Sequence, residues 1–294
     1  MSELTSFFSA QELPAVAYRE QRLPVPEHIE KKRALIQRAA ALPDRVLTLL
    51  TVAAILACWS LASAFALVPA LFLPSPAAVL RKLHAVASKG FVEATLLEHA
   101  LTSIARVFAA LLLAVATAIP IGILVGLSRR IRAVVDPLIE FYRPVPPLAY
   151  LPLVVIWCGI GELSKVLLIY LAVFAPISIA TVQGVRRVDE SRIRAARSLG
   201  AGRWQLVRFI VFPSAAPDML TGVRIGLGVG WSTLVAAELI AATRGLGFMI
   251  QSAAQFLVTD VVLMGIFVIG AIAFIFEWGL RKLQKTLVPW DGKL

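Results

Sequence analysis

The sequence predicts an all-α, polytopic membrane bundle with six transmembrane helices, and three observations carry that prediction. Hydrophobic residues make up 59% of the 294 positions and charged residues only 16%. A soluble domain carries about 25% charged residues, so much of this chain's surface must meet hydrocarbon. Apolar runs near the ~20 residues needed to cross a bilayer recur along the chain. Most of the 29 Lys and Arg residues fall in alternate connecting segments, the bias expected of loops on the cytoplasmic side.

The first 45 residues read as a cytoplasmic arm with a weakly amphipathic patch at 28–38, and they lack the basic-then-apolar layout of a cleaved signal peptide. The first span is 46–68, uncharged throughout and stopped by Pro69. Ser75 and Pro76 form an N-cap and first-turn pair. They open an amphipathic surface helix with Val79, Leu80, Leu83 and Val86 on one side and Arg81, Lys82 and Lys89 on the other. The second span, 101–127, carries Arg106 near one end, where a long side chain can snorkel. It also carries Gly122 and Gly126 at a spacing that admits a close helix neighbour.

The third span, 136–160, contains prolines at 137, 144, 146, 147 and 152. Each removes a donor and crowds the preceding turn, so the helix must bend or break. Broken backbone at membrane depth belongs where it is buried in protein or lines a water-filled cavity. That makes Arg143, Pro146 and Pro147 candidate pathway residues. The fourth, fifth and sixth spans are 166–185, about 222–242 and 261–280. The organisation is thus an arm (1–45), a transmembrane domain (46–284) with a loop at 186–213, and a tail (285–294). Six spans put both termini on one side, and the basic residues of the arm, of 129–132, of 186–208 and of the tail place that side in the cytoplasm. The same bias accounts for the net charge of +11 and argues against nucleic-acid binding.

Catalytic signals are missing from the pattern. Cys58 and Cys158 lie in apolar runs, and His28, His84 and His99 show no ligand spacing. No G-x-x-x-x-G-K-[ST] loop occurs; "GIGELSK" has the wrong spacing and sits at a span end. Neither G-x-S-x-G nor H-E-x-x-H is present. Gly226, Gly228 and Gly230 follow no strand and read as helix-packing positions. The chain is therefore expected to be non-catalytic, with no cofactor or metal of its own.

Two regions remain for function. In the loop, "RAARSLGAGRWQLVRFIVFP" runs from Arg194 to Pro213. A helix from Asp189 to Arg197 would put Ile193, Ala196 and Gly200 on one small, shallow face, flanked by Arg192 and Arg194. Gly200 and Gly202 permit a sharp turn, and Pro213 reads as helping to end the following helix. The segment is either an ordinary basic loop or a docking helix for a groove on another protein. In the fifth span, Glu238 lies about 21 Å beyond Arg224 at 1.5 Å per residue, an intramembrane carboxylate. Trp231, Ser232 and Thr233 lie about two turns below it. Those three read as a gate or cavity wall, and Glu238 reads either as a pathway residue or as part of a structural ion pair or a helix–helix hydrogen bond.

The loop resembles the cytoplasmic motif of permeases of binding-protein-dependent ABC importers: E-A-A, three residues, G, nine residues, I-x-L-P. Ala195, Ala196, Gly200, Ile210 and Pro213 match, while Arg194 stands where Glu is usual and Phe212 where Leu is usual. The resemblance covers roughly 42–290 and is closest to the branch that imports nitrate, sulfonates, bicarbonate and taurine. "YRPVPPLAYLPLVVIWCGIGELSK" and "GLGVGWSTLVAAELIAATRGLGFM" look especially like its taurine-importing members. It implies the type I ABC importer permease fold and a homodimer in the bacterial inner membrane, surrounded by membrane lipid. Two copies of a cytoplasmic ABC ATPase, which bind ATP and Mg, would dock on one side and a periplasmic taurine-binding protein on the other. Coupling would fall to Asp189, Arg192, Ile193, Arg194, Ala195, Ala196, Arg197, Gly200, Ala201 and Pro213. The implied function is ATP-driven import of taurine or related alkanesulfonates. A proton-coupled secondary transporter of small organic anions is the rival. It would more often show internal repeats and several intramembrane acids, whereas no repeat is evident and few acids, among them Glu140, Glu238 and Glu277, lie within the spans.

Overall fold

The computed structural model describes residues 43–290; the expectations for the arm up to residue 42 and for 291–294 lie outside the described residues. The chain divides into two units, 1–58 and 59–294, and the packing below is that of the second. Apart from an isolated bridge between Phe91 and Ala94, regular structure among the described residues is helical. The helices are α1 (Asp44–Ala64), α2 (Pro76–Lys89), α3 (Leu96–Leu127), α4 (Arg129–Tyr142), α5 (Pro147–Cys158), α6 (Glu162–Arg186), α7 (Glu190–Ser198), α8 (Arg203–Leu206), α9 (Phe212–Ala241), α10 (Leu246–Gln255) and α11 (Thr259–Leu287).

Local chemistry sets the ends. The Ser75 hydroxyl accepts from the Ala78 N–H at 3.2 Å, with Pro76 in the first turn, as expected of that pair. α3 starts five residues before the apolar run because Thr95 and Glu98 form a capping box. Counting hydrophobic residues misses such a polar cap. α2 buries Val79 and Val86 against Leu246, Met249 and Ala253 of α10 and Val261 and Met264 of α11.

Five helical segments among the described residues are long and apolar enough to cross a membrane: 45–64, 96–127, 162–186, 203–239 and 259–287. The expected third span is interrupted. α4 stops at Tyr142, and α5 restarts at Pro147 with 12 residues, about 18 Å of helix against a hydrocarbon core of roughly 30 Å. The prolines at 144, 146 and 147 leave the intervening backbone without helical donors.

The main core lies where α3, α6 and α9 meet, around Val107, Ala110 and Ala114, Ile169, Val173 and Ile177, and Leu227, Trp231 and Leu234. Glycine sets how close these helices come. A Cβ at Gly122 or Gly126 would stand 2.6 Å from the Cβ of Thr181 or Val185 on α6, and one at Gly222 would stand 2.6 Å from Ala180. Gly226 and Gly230 lie against Val173 of α6, whereas Gly228 faces open space.

One expectation is corrected. Pro213 does not help to end a helix: α8, a π-turn at Val207–Val211 and α9 run on without a break. In a continuous α-helix the Pro213 ring would press on the Phe209 carbonyl. The wider π-turn, in which the Phe212 N–H reaches the Val207 carbonyl, takes up that conflict.

Candidate functional site

Three structures bear on function: a knob at one end of the bundle, a cavity at the α4–α5 break and a charged cluster at the far end. The knob is α7. Asp189 caps it, accepting from the Ser191 N–H at 2.8 Å and from the Ser191 hydroxyl at 2.7 Å. Those bonds favour the ionised carboxylate and hold it below its ordinary range. Gly200, at φ +83°, closes the helix. Its N–H bonds to the Arg197 carbonyl and the Ala201 N–H to the Ala196 carbonyl, the two bonds of a Schellman stop. Gly202, by contrast, has an ordinary φ of −71°; only Gly200 needs glycine's freedom.

Ile193 is half-buried against Val185, Val188, Val211, Ala215 and Met219. It anchors the knob to α6 and α9 instead of presenting a docking face, which corrects the grouping read from spacing. Arg192, Arg194, Ala195 and Arg197 are exposed, and Arg194 pairs with Glu190 at 3.3 Å. Beside them Leu199, Trp204 and Phe209 expose most of their area, Leu199 89% of it. Ala196, Gly200, Ala201 and Ile210 join Leu199 and Phe209 around a shallow depression.

The cavity, about 430 Å³, opens at the helix break. Tyr142, Arg143, Val145, Pro147 and Tyr150 form one wall, α6 another through Ala172, Ala175, Pro176 and Gln183, and α9 a third through Ile225 and Val229. Pro176 has no N–H to give the Ala172 carbonyl, four residues earlier. The cavity thus gathers a guanidinium, two phenols and an amide among small apolar side chains. Arg143 and Pro147 line it, and Pro146 holds the extended conformation that starts α5.

Other expected pathway residues are placed differently. Trp231 is buried in the main core, its ring stacked on Phe276 at 6.2 Å. The Thr233 hydroxyl is spent on the Val229 carbonyl, and Glu238 is 0% exposed. Of that run only Ser232 faces outward. The reason is rotational: 3.6 residues per turn put successive residues on different faces of α9, and only neighbours decide which faces are covered.

Glu238 instead belongs to a cluster at the end remote from α7. Arg106, 4% exposed, donates twice to Glu162 at 2.6 Å, and its Nη1 donates to Glu238 and to the Arg244 carbonyl at 2.7 Å. Lys165 donates to Glu162 at 2.9 Å. Glu238 also accepts from the Ser103 hydroxyl and the Gly247 N–H. The Ser103 oxygen accepts from the Leu246 N–H, so a carboxylate and a hydroxyl from other helices satisfy the first donors of α10. The Gly245 N–H donates to His99 Nδ1, which leaves Nε2 to donate to the Phe91 carbonyl. Two cations and two carboxylates balance. Arg106 therefore does not snorkel; it is bound on both sides. The sequence held the signal in an arginine and a glutamate within separate apolar runs, but the partners Glu162, Lys165 and Ser103 were not legible.

An all-helical membrane bundle with a broken helix beside a cavity and a capped, exposed helix at one end has the architecture of a transporter's membrane subunit. The chain belongs to the family of binding-protein-dependent transport system inner membrane components, whose pattern matches residues 118–288. It is 58% identical over 245 residues to the taurine transport system permease protein TauC of Escherichia coli (strain K12), across 83% of this chain and 89% of that one. It is 35% identical over 242 residues to the Bacillus subtilis (strain 168) protein named as an aliphatic sulfonates transport permease, SsuC, across 82% and 86%. A solved structure of the MetNI methionine ABC transporter in inward-facing conformations shares the fold at TM-score 0.58 and 16% identity, covering 64% of this chain and 93% of that one.

Proposed function

We propose that this chain is the permease subunit of an ATP-driven importer of taurine or related alkanesulfonates. It would act as a homodimer in the bacterial inner membrane with both termini in the cytoplasm. Two ABC ATPases would bind ATP and Mg below, and a periplasmic taurine-binding protein would dock above. The extent of identity with the taurine permease carries the reading.

The geometry supports a mechanism. α7 is fixed to α6 by three residues and to α9 by Ile193 and its neighbours, with Arg187 bonded to Asp218 of α9 at 2.8 Å. α6 and α9 also wall the cavity. An ATPase that moves the knob therefore moves the cavity walls, and differential nucleotide affinity would shift the balance between inward and outward openings. Within the cavity, Arg143 suits a sulfonate, a contact weak enough to release substrate. Uptake of labelled taurine by the reconstituted complex tests this. We expect transport only with ATP and the binding protein together, and an Arg143→Leu variant slowed tenfold or more. Uptake driven by a proton gradient without ATP would favour the secondary transporter and overturn the reading.

A further inference from the structure

A second cavity, about 750 Å³, lies where the last turns of α11 meet α9, at the α7 end of the bundle. Arg224 of α9 and Trp278, Arg281, Lys282, Gln284 and Lys285 of α11 line it. The charges there are poorly balanced. Glu277 holds Arg281 at 2.6 Å and Arg224 at 3.6 Å, and Gln284 accepts from Arg224 Nη1 at 3.3 Å. Among the described residues neither Lys282 nor Lys285 has a carboxylate partner, and Arg224 Nε is buried without a hydrogen bond. A general bias of basic residues toward one membrane face explains cations in loops. It does not explain why four cations, Arg224, Arg281, Lys282 and Lys285, line one open cavity with Glu277 as the one carboxylate paired to them among the described residues.

The adjoining surface identifies the partner. Phe274, Ile275 and Trp278 of α11 are exposed, Trp278 to 60%. They form an apolar stripe on a membrane-crossing helix, with the indole where interfacial tryptophans sit. One turn further on, the Lys282 ammonium lies 5.5 Å from the Trp278 ring centroid. Acyl chains along the stripe would deliver a phosphate to the cations. We propose that this cavity binds the headgroup of an anionic phospholipid, with its tails on the Phe274–Trp278 face of α11. The site is separate from the Arg143 cavity and independent of what is transported.

The permease–ATPase complex in nanodiscs provides the test, with brominated phosphatidylglycerol or brominated phosphatidylcholine as quenchers of tryptophan fluorescence. The Trp278 signal is the difference between wild type and Trp278→Phe. We expect phosphatidylglycerol to quench it at a several-fold lower mole fraction than phosphatidylcholine. An Arg224→Gln, Lys282→Gln, Lys285→Gln variant should lose that preference, and millimolar inorganic phosphate should not reverse it. Equal quenching by the two lipids in wild type would overturn the proposal whether or not the triple variant folds. So would a preference that survives in the triple variant, and displacement by phosphate would reassign the cavity to a free anion.

Discussion

At Glu238, two physical demands meet in one carboxylate: it neutralises a buried guanidinium and it caps a helix from another part of the chain. Removing it leaves Arg106 with Glu162 as its one carboxylate beside the Arg244 carbonyl, and strips the acceptor from Gly247. Breaking a buried pair costs about 3–5 kcal/mol, so Glu238→Ala should lower the thermal midpoint of the purified protein sharply, while Glu238→Gln, which keeps the shape and an acceptor, should lower it less. Equal midpoints for wild type and Glu238→Ala would show that the cluster is not a brace. Gly245 is bound to the same outcome. It sits at φ +133°, and a Cβ there would collide with the Glu238 carboxylate. Gly245→Ala should therefore match Glu238→Ala in folded yield, although it removes no charge.

For α7, stability and coupling separate. Gly200 has open space around its Cα, so an alanine there meets no clash and suffers only the left-handed backbone penalty of about 1–2 kcal/mol. Gly200→Ala should reduce transport-coupled ATPase activity while leaving the melting of the bundle unchanged. Asp189 predicts a pH effect with a definite sign. Its carboxyl is held below its ordinary range by Ser191, so the cap is fully present above the ordinary value and is lost as pH falls through the lowered one. Protection factors of the α7 amides, normalised for the intrinsic pH dependence of exchange, should stay high at neutral pH and fall only in acid. Asp189→Ala should be poorly protected at both, and Asp189→Asn, an equally good cap, protected at both.

At the largest scale, the bundle core depends on how closely α3, α6 and α9 approach. Gly122, Gly126 and Gly222 leave no room for a side chain. Gly222→Leu should force α9 from α6, distort the cavity they share, and give aggregated protein on size-exclusion chromatography. The same change at Gly228, where nothing lies within 4 Å, should leave the elution profile unaltered. The contrast matters because the two glycines look alike in sequence.

Composition and periodicity alone established a helical membrane bundle, the break in the third span and the helix at 189–197, because apolar run length, proline and capping residues act within a few positions of themselves. The loop motif likewise stood in the linear order of Ala195, Ala196, Gly200, Ile210 and Pro213. Pairings between distant helices depended on tertiary structure. Ser103, Arg106, Glu162 and Glu238 come together only because α3, α6 and α9 pack at glycine distance, and Ile193 turns inward only because α6 and α9 stand beneath it. Helical phase is local, but which phase faces a neighbour is decided by the neighbour.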